Sequence, residues 1–206
     1  PTYLHRTLKG VLKYYHQGID LFVSQDGRMQ SVSNTIAQFI HDAKNMHHVS
    51  IAEHLHHDNN IRGNGYEKLA VHFGWVLNAL MSERGYDRVI LLEDDMDIAP
   101  DFFEFFIKMA PLYDQDSRIM AVSAFNDNGF KEYVHDPTNV LRSDYFPGLG
   151  WMINQRMWKE WGPKWPRGYW DDWLREPPQR KGRITLRPEI SRTFTFGKIG
   201  VSSGQF

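Results

Sequence analysis

Apolar positions recur along this chain in two periods, and the element type changes where the period changes. Leu8, Val11, Leu12 and Tyr15 share one helical face, which predicts an amphipathic helix over Leu8 to Tyr15. After Gly18 the run Ile19-Asp20-Leu21-Phe22-Val23 suits a buried strand, stopped by the turn signal Ser24-Gln25-Asp26-Gly27. Helical spacing returns at Val32, Ile36, Phe39 and Ile40, and His48-Val49-Ser50-Ile51 reads as a further strand. Leu69, Phe73, Val76, Leu77 and Leu80 mark a helix over Tyr66 to Met81. Arg88-Val89-Ile90-Leu91-Leu92 is a continuous aliphatic run bounded by charge, the form of a strand covered on both faces. Ala99-Pro100-Asp101 opens the next helix, since Pro is tolerated and an acid favoured in a first turn.

Strands alternating with helices predict an α/β fold with a mostly parallel sheet. Past about residue 125 Gly, Pro and Trp become dense and helical spacing fades except near Gln155 to Trp161, so this stretch is expected to wrap the sheet as long loops and short strands. At 206 residues the chain fits one large domain, in two parts, 1–125 and 126–206. Aromatic residues make up 14% of the chain and the formal net charge is −1, which argues against disorder. The same balance removes the usual electrostatic support for binding nucleic acid or a membrane surface. With no Cys, disulfides and thiolate chemistry are excluded. No apolar run is long enough to span a bilayer, and the helical pattern begins almost at Pro1, so the chain is read as part of a longer protein.

The strongest chemical signal is Glu93-Asp94-Asp95-Met96-Asp97, four acids in five residues at the end of the aliphatic strand. Ligands of open α/β sheets bind at the carboxyl ends of strands. Clustered carboxylates repel one another unless a cation compensates them, and oxygen ligands select hard ions such as Mg²⁺ or Mn²⁺. The alternative is a solvated loop in which Asp97 caps the next helix. A second acid pair lies in Tyr169-Trp170-Asp171-Asp172-Trp173. Six of the seven Trp fall between Trp151 and Trp173, a density that suits rings facing a sugar as well as a packed core. A carboxylate beside such rings is expected to be partly desolvated and fit to accept an alcohol proton, unless Asp171 or Asp172 simply caps a helix.

Several other stretches carry weaker signals. Asn126-Asp127-Asn128-Gly129 fails the calcium-loop template and reads as a tight turn. Gly200-Val201-Ser202-Ser203-Gly204 matches a nucleophile elbow, yet the last His of the chain is His135, so a serine triad in that order is impossible. A Gly-flanked Ser pair suits backbone contacts to phosphate, or a plain flexible loop. His54-Leu55-His56-His57-Asp58 invites a zinc reading, but closed zinc sites draw ligands from separate elements, so a polar loop is favoured. Gln179-Arg180-Lys181-Gly182-Arg183 reads as a solvated basic turn, and His72 is left between a structural and a binding role.

Taken together and in order, Glu93-Asp94-Asp95, Phe146-Pro147-Gly148-Leu149-Gly150-Trp151, Pro163-Lys164-Trp165-Pro166, Tyr169-Trp170-Asp171-Asp172-Trp173, Arg187-Pro188-Glu189-Ile190-Ser191-Arg192 and Gly200-Val201-Ser202-Ser203-Gly204-Gln205-Phe206 resemble the N-acetylglucosaminyltransferase I family, over essentially the whole chain. The related protein O-mannose N-acetylglucosaminyltransferases share the Pro-Gly-Leu-Gly-Trp block, but the Trp-Asp-Asp-Trp form and the Arg187 to Arg192 run are more similar to the former. The resemblance implies a GT-A glycosyltransferase fold, Rossmann-like and here expected to lack its first strand, whose terminal Arg touches the nucleotide in relatives. Residues 1–125 would bind the nucleotide sugar, and 126–206 would supply the acceptor side and lid. It further implies Mn²⁺, UDP-N-acetylglucosamine as donor, and inverting β-1,2 transfer to a mannose of an oligomannose N-glycan. Location would be the Golgi lumen, as part of a type II membrane protein whose anchor lies outside this sequence.

By that resemblance Asp95 is the metal ligand, Asp94 holds the ribose and Glu93 the donor sugar. Asp26 and His72 recognise uridine, Leu149 and Trp170 line the N-acetylglucosamine pocket, Asp171 is the catalytic base, and Ser202 sits on a loop closing over the diphosphate. A non-catalytic carbohydrate-binding module would explain the Trp cluster but not two acid groups. A metal-dependent phosphohydrolase would explain the acids and would release phosphate instead of UDP.

Overall fold

A computed structural model describes residues 2–46, 49–58 and 61–200. The first helix, α1 (Thr2–Lys13), buries Leu4, Thr7, Leu8 and Val11, beginning earlier than the Leu8 pattern indicates. Strand β1 (Leu21–Asp26) continues through Ser24-Gln25-Asp26 and ends only at Gly27, whose φ of +74° a side chain would resist. The turn read at Ser24 is thus strand, because Gln25 is buried and pairs in the ladder. Helix α2 (Gln30–Asn45) returns the chain to β2 (Ala52–His57), which lies parallel to β1 with Asp26 opposite His57. The strand expected over 48–51 therefore lies further on, with His48 outside the described residues, and the His-rich run read as a loop is β2 itself.

Helix α3 (Gly65–Leu77) starts at a capping box in which Asn64 and Glu67 satisfy each other's backbone N–H. A π-helical turn (Asn78–Glu83) leads to β3 (Arg88–Leu91), and a short acidic turn leads to β4 (Met96–Ile98). Helix α4 (Phe102–Gln115) and β5 (Ile119–Ser123) follow, and every residue of β5 is buried. Beyond these come β6 (Val140–Ser143), β7 (Trp151–Asn154), α5 (Gln155–Trp161), α6 (Trp170–Arg175), α7 (Pro177–Arg180), β8 (Ile184–Pro188) and β9 (Thr193–Thr195).

The central sheet has the order β3-β7-β5-β8-β6. β5 and β8 are parallel, and β7 is antiparallel to both β3 and β5, so β3, β5 and β8 run one way against β6 and β7. The segment after residue 125 thus does more than wrap the sheet: β7 and β8 are internal strands of it. The Trp-rich stretch is also mainly core, since Trp151, Trp158, Trp161 and Trp170 are buried and Trp151 stacks on Trp170 at 5.4 Å. Of the two readings left open for this concentration, sugar platform and packed core, core packing accounts for most of it. Arg183 is likewise no solvated turn residue, as its guanidinium grips Glu160.

Among the described residues β1 pairs with β2 alone and β3 with β7 alone. Their other edges face a cavity of about 820 Å³, lined by apolar side chains including Leu8, Val23, Phe73, Leu91 and Phe103. No helix of the described residues is long and apolar enough to cross a membrane.

Gly150 shows how tightly the loop before β7 is seated. Its φ is +85°, and a Cβ there would stand 2.8 Å from Thr193 Cγ2. Gly150→Ala is expected to cost about 2–4 kcal/mol, adding left-handed strain to overpacking. Urea denaturation of the two proteins measures it.

Candidate active site

Antiparallel pairing of β3 with β7 puts Leu91 opposite Trp151, so the carboxyl end of one strand meets the amino end of the other. Glu93-Asp94-Asp95 follows the first and Pro147-Gly148-Leu149-Gly150 precedes the second. The latter loop has three consecutive residues at positive φ, Gly148 at 73°, Leu149 at 48° and Gly150 at 85°. For Leu149 that conformation costs on the order of 1–3 kcal/mol, strain of a kind that persists when surroundings enforce it. Here the enforcing contacts are Ser123 Oγ donating to Gly148 O at 2.8 Å and Thr193 Oγ1 donating to Leu149 O at 2.7 Å.

Helix α6 is tied to the same end of the sheet. Arg175 donates through Nε to Phe146 O at 3.0 Å, and through Nη1 to Asp171 at 3.0 Å and Asp172 at 2.7 Å. Tyr169, just before α6, also has positive φ, at 48°. Asp171 is not enclosed by the Trp rings as the sequence suggests: its side chain is 37% exposed and Arg175 sets its orientation. Trp170 is buried between Trp151 and Trp165, with Gly148 close enough that a Cβ there would touch Trp170 Cη2 at 3.8 Å. The loop that carries Leu149 thus packs against Trp170 through Gly148.

The acidic turn is held from two sides. Thr7 Oγ1 donates to Asp94 O at 2.9 Å and accepts from Met96 N at 3.1 Å, while Arg6 pairs with Asp97. Strand β9 pairs with β4, Phe196 N donates to Asp95 O at 2.9 Å, and a Cβ on Gly197 would collide with the Asp95 carboxylate. The same Phe196 ring stacks edge-on against Tyr3 and beneath Arg6, and Lys198 N donates to Tyr3 Oη at 3.1 Å.

Burial, and then the charges of Asp95, Asp94 and Asp171, push the Glu93 carboxyl from 4.5 up to about 7. The stacking of Trp170 on Trp151 and the bond from Arg175 Nε to Phe146 O hold α6 at the end of the sheet where the β3 tip lies. Asp95 is raised as well, by burial and by Asp94. Such a set of mutually repelling, partly buried oxygens fits a hard divalent cation. Among the described residues the acids at 93–95 do not bring three ligand atoms within 4.8 Å of one another.

Unfolded Glu93 would lose its proton near 4.5 and the folded group near 7, so between those values the folded state binds more protons. Stability is then expected to fall as pH rises through that window, by about 3 kcal/mol in all. Urea midpoints at pH 5 and pH 8 measure it; an unchanged slope in Glu93→Gln would assign the effect elsewhere.

Asp26 and His72 come together at the far end of the same cavity, with Ser24 Oγ 3.0 Å from His72 Nε2. Burial holds the His72 imidazole below its ordinary pKa. Ser202 lies outside the described residues.

Residues 1–206 match the GNT-I family. The chain belongs to the GNT-I family. It is 46% identical over 212 residues to the alpha-1,3-mannosyl-glycoprotein 2-beta-N-acetylglucosaminyltransferase of Arabidopsis thaliana, the match covering 99% of this chain and 46% of that protein. The chain thus spans about half the length of that relative. Its structure is similar to a mannosyltransferase of Pyrobaculum calidifontis solved in complex with GDP-Man and Mn²⁺, at a TM-score of 0.59 and 12% identity, covering 91% of this chain and 51% of the other. At that identity the likeness speaks for the fold alone, an α/β GT-A-like fold.

Three residues of this GNT-I family chain escape a reading of the sequence, and a fourth, His57, is read there only as part of a polar loop. Thr7, Gly197 and Arg175 act through backbone contacts to segments far along the chain or through neighbours of the acids. His57 joins Asp26 only through the β1–β2 register. A local signal exists for Arg175 alone, which stands four residues after Asp171.

Proposed function

We propose that this chain carries the donor and acceptor site of an inverting β-1,2-N-acetylglucosaminyltransferase. It would move N-acetylglucosamine from UDP-N-acetylglucosamine to a mannose of an oligomannose N-glycan, in the Golgi lumen, with Mn²⁺ as its ion. The observation that carries this reading is the pairing of β3 with β7, Leu91 opposite Trp151, with Trp170 of α6 stacked on Trp151, which brings the acidic turn and α6 to the same end of the sheet.

Asp95 would ligate the ion, Asp94 would hold the ribose and Glu93 the donor sugar. When bound, the ion neutralises charge that grows on a departing diphosphate. Asp26 and His72 would hold the uracil, while Leu149 and Trp170 would wall the N-acetyl pocket. Asp171, presented by Arg175, would take the proton from the mannose hydroxyl as its oxygen attacks the face opposite the leaving group. One base suffices for inversion, as in inverting glycosidases. Residues 1–125 would bind the nucleotide sugar, and 126–206 would supply the acceptor side with Ser202 on its lid.

Incubating the protein with Mn²⁺, UDP-N-acetylglucosamine and a panel of mannosides is expected to add one N-acetylhexosamine to a mannoside and release UDP, both read by mass. Release of inorganic phosphate would favour a phosphohydrolase. Sugar binding independent of any divalent ion, with no product, would favour a carbohydrate-binding module.

A further inference from the structure

Beside Asp171 the exposed stacked rings are tyrosines. Trp170 is buried, whereas Tyr169, the residue before it, is 48% exposed. The Tyr169 ring lies on that of Tyr66, with 4.9 Å between centroids and 21° between planes. Tyr66 is the second residue of α3, directly behind the capping box of Asn64 and Glu67, so its own position is set by a fixed helix end.

The segment leading into α6 runs back along α3. Trp165 Nε1 donates to Ala70 O at 2.8 Å, and a Cβ on Gly74 would stand 2.6 Å from Trp165 Cδ1. Three residues later a Cβ on Gly168 would stand 3.1 Å from Glu67 Cγ. The close approach thus uses the glycine, and the left-handed turn falls on Tyr169, at φ 48° and ψ 48°. A tyrosine keeps that conformation only where its surroundings enforce it, and such strain gathers at working sites.

Tyr169 is the N-cap of α6, and Asp171 follows in the first turn. Two residues span at most about 7 Å between Cα atoms, so Tyr169 stands within a sugar residue's reach of the proposed base. An exposed aromatic face suits the C–H face of a pyranose. Asp171 and Asp172, with side chains 37% and 69% exposed, offer acceptors to sugar hydroxyls and repel an anionic ligand. We propose that the Tyr169 ring, backed by Tyr66, is the platform for a neutral pyranose of the acceptor glycan. The platform rests on the assignment of Asp171 as the base, and it gives to this tyrosine pair a contact that the buried Trp rings do not offer.

Tyr169→Asn tests the platform, because Asn tolerates the left-handed conformation and lacks the ring. Tyr169→Phe keeps both the ring and the stack. With the nucleotide sugar saturating, Tyr169→Asn is expected to raise the acceptor KM by about 10-fold, the affinity that covering one ring face supplies, with kcat little changed. Tyr169→Phe should stay close to the parent, and the donor KM should be unchanged in both. Thermal melts confirm that each variant folds. Saturation-transfer NMR of methyl α-mannoside reads the contact without turnover: the parent and Tyr169→Phe should saturate the sugar ring protons, and Tyr169→Asn far less. An unchanged acceptor KM in folded Tyr169→Asn, a rise confined to the donor KM, or no saturation of the mannoside by the parent would overturn the platform. A parent that saturates the mannoside through Tyr169 yet transfers nothing would leave a sugar site standing and remove the transferase reading.

Discussion

Asp171→Asn is expected to lower transfer by about 10²- to 10⁴-fold while leaving donor affinity within a few-fold of the parent. The amide oxygen can still accept from Arg175, whose other donations to Asp172 and Phe146 hold the helix in place. What the substitution removes is the capacity to take a proton. Donor affinity is the control, because the proposed role of Asp171 is toward the acceptor hydroxyl and not the donor. Single-turnover transfer and calorimetric donor binding on one preparation separate the two effects. Near-normal turnover in the variant would remove Asp171 as the base.

Asp95→Ala should abolish Mn²⁺-dependent donor binding, and the fold should lose only the carboxylate's hydrogen bond with Thr195. The backbone bond from Phe196 N to Asp95 O survives the change, so the strap after β9 stays attached. In the ion-free protein Asp95 is a partly buried charge beside two other acids, and its removal relieves repulsion. Glu93 should then titrate lower, because Asp95 is the largest charge acting on it. The parent should gain about 2.7 kcal/mol at a ligand concentration 100 times Kd, and the variant nothing. Calorimetry and denaturation with and without Mn²⁺ read this, and an unchanged binding isotherm would refute the metal role.

How far the sequence discloses the molecule depends on whether a feature is local. The helices at Gln155 and Tyr66 and the aliphatic strand at Arg88 were legible because each carries its own period. The turn at Asn126 was legible because its bonds are its own: Gly129 N donates to Asn126 O and Asn128 N to Asn126 Oδ1. The end of β1 was not, because Ser24-Gln25-Asp26 is polar and only pairing with β2 keeps it extended. The Trp-rich stretch stayed open between sugar platform and core because composition cannot tell a ring that faces solvent from one stacked on Trp151. In the site, the acids stood out by density, whereas the contacts that aim them come from residues about 90 positions away.

Helix α1 grips the acidic turn through Thr7 and the strap beyond β9 through Tyr3 and Arg6. One twelve-residue rod is therefore the common footing of two working parts that never touch it in sequence. Any displacement of that rod, by a ligand in the neighbouring cavity or by a protein leaning on its outer side, would loosen the acidic turn and the strap beyond β9 in a single stroke.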